Sequence, residues 1–205
     1  MDNITKIQKQ TFRYYYEDGL AELAVGILFF VIGLDVLLIS SVAPGSPLSI
    51  AAWILLPIIT VAGIYGVQRF VKNLKEKYVH PRTGYIEYTA KPNRYRWLIS
   101  GFALALAVSL MILPYGWLQK GSVTAGMIIF VILVSIGVQV GLKRLIAEGI
   151  LSFIIGIILA FLPFSDNASL VATFIPTGLL LILIGAWVFR KYRIENPVQE
   201  GANGR

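Results

Sequence analysis

The sequence predicts an all-α, polytopic membrane bundle of six transmembrane helices. Three observations carry this. Of 205 residues, 57% are hydrophobic and only 14% charged, against about 25% charged in a soluble domain. Apolar runs of membrane length recur along the chain, each close to the ~20 residues that span the hydrocarbon of a bilayer. The basic residues fall almost wholly in alternate connections, as the positive-inside rule requires.

The chain reads as one membrane domain, 1–205, with spans at 20–42, 50–71, 97–118, 123–142, 145–164 and 170–189. The first span enters through Asp18, Gly19 and Glu22 and still carries Asp35 in its outer half. The residues before it are polar and mixed in charge, and the run is about twice the length of a signal-peptide core, so it is expected to remain in the mature protein. Pro44, Gly45 and Pro47 mark a tight turn into the second span. Pro57 and Pro176 are places where the second and sixth spans can kink.

The connection 72–96 is different. It carries Lys72, Lys75, Lys77, Arg82, Lys91, Arg94 and Arg96, which are expected to contact anionic lipid. Its start, 72–77, should continue the second helix into water. Tyr78-Val79-His80 and Tyr85-Ile86-Glu87-Tyr88 alternate apolar with polar around Pro81-Arg82-Thr83-Gly84, the pattern of a β-hairpin. With the amino end placed in the cytoplasm, every one of the 18 Lys and Arg residues except Lys120 lies on the cytoplasmic side. Both termini should then be cytoplasmic and the protein a multi-pass component of the cell membrane. Trp53 and Trp117 fall near outer ends and Trp97 and Trp187 near inner ends, where amphipathic rings sit at headgroup level.

Short echoes suggest same-orientation helical hairpins: Asp18-Gly19 with Gly26 seven residues after Gly19, and Glu148-Gly149 with Gly156 seven after Gly149. In lipid, helices associate through small residues that allow close backbone approach. Gly19, Gly26 and Gly33 form such a stripe on the first span, and Gly137 and Gly141 a small-xxx-small pair on the fourth.

Cysteine is absent and histidine occurs once, at His80. Thiolate chemistry, disulfides and the usual zinc ligand sets are therefore excluded, and no metal, cofactor or enzymatic site is expected. Nucleic acid is not an expected partner, because the positive charge follows the membrane topology. A homo-oligomer or another membrane protein would suit the glycine-striped helices.

The candidate chemistry is acidic. Asp18 and Glu22 stand about one helical turn apart on one face and Glu148 marks the corresponding entrance of the fifth span. They read either as an ion or proton site at the inner mouth or as interfacial acids paired with Arg13, Arg69, Lys143 or Arg144. Asp35 lies about 22 Å along the first helix at 1.5 Å per residue. A charge near that depth costs at least about 2.5 kcal/mol, so Asp35 must be neutral or face the bundle, with Gln139, Thr60 or Ser109 as partners, or serve as a functional acid. Two functions follow: a non-enzymatic membrane component that associates with proteins or lipids, or a small proton- or cation-coupled transporter or channel protomer.

Overall fold

The computed structural model describes residues 16–79 and 120–197, and every regular element in them is helical. Five helices follow in order: α1 (Leu20–Ser41), α2 (Pro47–Tyr78), α3 (Gly121–Val140), α4 (Lys143–Phe161) and α5 (Asp166–Glu195). Each is long and apolar enough to cross a membrane. The protein is a multi-pass helical membrane bundle.

Local sequence sets the boundaries. Ser46 caps α2 by accepting a hydrogen bond from the Ser49 N–H, with Pro47 at the first helical position, where a missing N–H costs nothing. Ser165 caps α5 in the same way through the Ala168 N–H. Between α3 and α4 the chain reverses in two residues. Gly141 takes φ 76°, and the N–H groups of Gly141 and Leu142 both donate to the Gly137 carbonyl, a left-handed turn that suits a residue without Cβ. Gly141 is thus exposed turn backbone, a correction to its expected role in packing. α2 and α5 run unbroken through Pro57 and Pro176.

The second helix continues past its apolar run to Tyr78, as expected for 72–77. Tyr78 is therefore helical and Val79 caps the helix, its N–H donating to the Lys75 carbonyl, so neither is part of a strand; the rest of the expected hairpin from His80 on, with Arg82, Lys91, Arg94, Arg96 and the span 97–118, lies outside the described residues.

The tightest approaches join α1 to α5 and α3 to α4, both antiparallel, while α2 packs on the other side of α1. The closest partners are therefore not the successive helices of the expected first hairpin. On α1, a Cβ at Gly26 would stand 2.7 Å from the Ile182 nitrogen and 2.8 Å from the Gly178 oxygen. One at Gly19 would stand 2.7 Å from the Gly185 oxygen. Gly33 meets Phe174 and Ile175 in the same groove. Across α3 and α4, Gly126 faces Ser152 and Gly156, and Gly137 faces Leu145 and Ile146. Spaces this small admit only glycine, so backbones touch where dispersion is strongest in lipid.

This packing brings together the start of α1, the end of α2, the end of α3, the start of α4 and the end of α5. Arg69, Lys72, Lys75, Lys77, Lys143, Arg144, Arg190, Lys191 and Arg193 all lie toward this end, and among the described residues Lys120 alone is basic at the other. Along the flank of α2, Ile54, Ile58 and Val61 are each more than half exposed, an arrangement suited to contact with lipid rather than water.

Candidate functional site

Three of the four acids singled out in the sequence gather at the basic end, and all three are buried rather than splayed toward solvent. Asp18 is fully enclosed. Its Oδ1 accepts the Leu20 N–H at 3.1 Å and its Oδ2 lies 2.7 Å from Lys75 Nζ. Burial raises the Asp18 carboxyl above its ordinary range, and the Lys75 ammonium and the Leu20 N–H act in the opposite direction.

Lys75 is itself only 6% exposed. It turns inward and does not reach the lipid surface, a correction to its expected role beside Lys72 and Lys77. The cause is helical periodicity: Val71, Lys75 and Val79 succeed one another at intervals of four and all three are buried.

Glu22 makes a second cross-helix pair. Arg144, in the first turn of α4, donates to Glu22 Oε1 from Nε at 3.0 Å and from Nη2 at 2.6 Å. Its Nη2 also donates to the Tyr16 carbonyl at 3.2 Å. One guanidinium therefore ties α4 to both α1 and the residues leading into it. Of the basic partners expected for the acids, Arg144 engages Glu22, whereas Arg13 lies outside the described residues; Lys75 supplies the pair with Asp18.

Glu148 lies one turn beyond Arg144 on α4 and is 3% exposed. Glu22 and Arg144 are the charged groups that reach it, yet neither of its carboxylate oxygens has a hydrogen-bond partner among the described residues. The Ser152 hydroxyl donates to the Glu148 backbone carbonyl, not to its side chain. The cluster holds three acids and two bases, and no group of three or more potential ligands among the described residues is placed to hold a metal ion.

Asp35 stands apart from this cluster, 5% exposed on α1. It too has no hydrogen-bond partner on either oxygen among the described residues. The Thr60 hydroxyl, one expected partner, donates instead to the Leu56 carbonyl of its own helix. Ser109 and the Gln139 side chain lie outside the described residues.

Two further features were not singled out from the sequence. Gly178 and Gly185 of α5 repeat the seven-residue spacing of Gly19 and Gly26 and receive them; the spacing was the available signal. At the basic end a polar cavity of about 370 Å³ opens beside Arg144, Lys191 and Tyr192. The chain matches no protein family, no curated protein and no solved structure.

Proposed function

We propose that the protein is a non-enzymatic, multi-pass component of the cell membrane that associates with lipid and with other membrane proteins or copies of itself. Its basic end and both termini face the cytoplasm, against anionic lipid. The observation that carries this reading is the closure of Asp18 and Glu22 into buried pairs with Lys75 and Arg144. Acids so committed brace α1 against α2 and α4, and their charge is spent on the bundle rather than offered to a passing ion. The run of basic side chains at the same end supports the orientation.

Reconstitution in liposomes tests it. The wild-type protein should carry no proton or cation flux above empty vesicles and should show crosslinks between copies or to neighbouring membrane proteins in native membranes.

A second reading, a small proton- or cation-coupled transporter or channel protomer, draws support from Glu148 and Asp35, two buried carboxyls whose oxygens have no hydrogen-bond partner among the described residues. Intramembrane acids of this kind often mark proton routes. Under that reading, flux is present in the wild type and falls in Glu148→Gln and Asp35→Asn, while the fold survives.

A further inference from the structure

A groove of about 260 Å³ runs between α1 and α2. Ala24, Leu28 and Val31 of α1 and Ile59, Gly66 and Phe70 of α2 line it, and no polar side chain is among its walls. At Gly63 the Leu28 side chain already fills the space that a Cβ would take, whereas at Gly66 nothing lies within 4 Å of that point. From Ile59 to Phe70 the groove follows α2 for about 16 Å at 1.5 Å per residue. Ile27, Val31 and Phe70 are exposed along its edges, so it opens sideways onto the apolar flank of the bundle.

Arg69 stands at the mouth of the groove nearest the basic end. It follows Gly66 by three residues, the spacing of neighbours on one helix face. It is exposed and enters no ion pair among the described residues. Asn73, one turn further on and also exposed, continues that face. An apolar trough thus ends in an unengaged cation.

We propose that this groove seats one acyl chain of a phospholipid from the cytoplasmic leaflet, with the lipid phosphate on Arg69. The chain runs from Arg69 toward Ile59, which is the direction from headgroup to hydrocarbon when the basic end faces the cytoplasm. Charge complementarity favours this occupant over a second copy of the protein. Copies in one membrane share an orientation, so a two-fold pair closed across the groove would set the two Arg69 guanidinium groups against each other at one depth. A phosphate instead accepts charge-assisted hydrogen bonds from the guanidinium. The inference rests on the membrane reading above and names one lipid contact within it.

The test uses the full chain in detergent with added phosphatidylglycerol, and native mass spectrometry counts the lipid retained. The wild type should hold one phosphatidylglycerol. Gly66→Leu fills the trough from a position whose Cβ meets no other atom, so it should lose that lipid while melting in lipid-free detergent stays unchanged. Arg69→Gln should weaken retention about fivefold, the ratio expected when one charge contact near a lipid surface is lost. Val61→Leu, exposed on another face of α2, should retain the lipid as the wild type does.

A wild type that holds no phosphatidylglycerol, retention unmoved by either Gly66→Leu or Arg69→Gln, or equal loss in Val61→Leu would overturn the proposal. So would a fall in the melting temperature of Gly66→Leu, or its conversion from a larger assembly to single chains, because the groove would then be filled by another part of the protein or by a second copy. Displacement of the lipid by millimolar glycerophosphoglycerol would overturn the acyl chain as its anchor. Ion flux in liposomes would defeat the non-transport reading while leaving this lipid count untouched, so the two failures are distinguishable.

Discussion

Lys75 Nζ lies 2.7 Å from Asp18 Oδ2, and both side chains are withdrawn from solvent. The last turns of α2 are thereby fastened to the entrance of α1 at a point where neither charge has water to fall back on. Removing one member of a buried pair leaves the other uncompensated, a loss of about 3–5 kcal/mol. Lys75→Met should therefore lower the melting temperature of the purified protein sharply. Lys72→Gln and Lys77→Gln, on the exposed faces of the same turns, should change stability by less than about 1 kcal/mol. Similar small shifts in all three variants would mean that Lys75 faces outward.

The glycine groove between α1 and α5 gives a second contrast. Gly26→Leu must drive the two backbones apart, because even a Cβ there meets main-chain atoms within 3 Å. Overpacking of this kind costs about 1–3 kcal/mol or more. Leu28 instead fills the space over Gly63 on the α2 side, so Leu28→Ala opens a gap that lipid or neighbouring side chains can enter. Thermal unfolding in one detergent should place Gly26→Leu well below Leu28→Ala. The reverse order would contradict the packing.

These two cases also show what the sequence made legible. Span length and the Ser-Pro and Ser-Asp caps are local, so the five described helices begin within four residues of their expected places; α5, like α2, continues past its apolar run, to Glu195 where Phe189 was the expected end. The stripe of Gly19, Gly26 and Gly33 is likewise local, whereas its partner is not. Nothing in the order of the chain says that Gly178 and Gly185, at the far end, receive it. Lys75 was obscured by its neighbours: in a run with Lys72 and Lys77 it reads as surface charge. Its four-residue spacing from Val71 and Val79 was the overlooked sign that it shares their face. Gly141 was grouped with Gly137 by spacing, although its place between two apolar runs, two residues before Lys143, is that of a helix stop.

Asp35 should tolerate loss of its charge. With neither carboxylate oxygen partnered among the described residues, Asp35→Asn keeps size and polarity and should leave stability within about 1 kcal/mol. Asp35→Val removes an unsatisfied buried group and should be neutral or stabilising by about 1–3 kcal/mol. Unfolding measurements on the two variants check this. Strong destabilisation by Asp35→Val would mean that the carboxyl has a partner whose removal is costly.

Orientation is testable by fusion. A reporter that is active only outside the cytoplasm should be active after Ser46, Gly121 or Asn167, which precede or begin helices at the end away from the basic cluster. Fusions after Lys91 or at Arg205 should be silent. Activity at Arg205 would reverse the assignment of the basic end to the cytoplasm.

Whether the buried acids brace the bundle is isolated by the Glu22–Arg144 contact, with its two donors on one oxygen. The measurement is a double-mutant cycle on unfolding free energy with Glu22→Gln, Arg144→Gln and the two combined. Arg144→Gln should lose about 3–5 kcal/mol by stranding the buried Glu22 carboxylate, Glu22→Gln should lose less because the Arg144 side chain is a quarter exposed, and the double variant should lose much less than their sum, since the pair is removed as a unit. Losses that simply add would contradict the account, because they would show that Glu22 and Arg144 act independently and that the carboxylate is held in the bundle for some purpose other than bracing it.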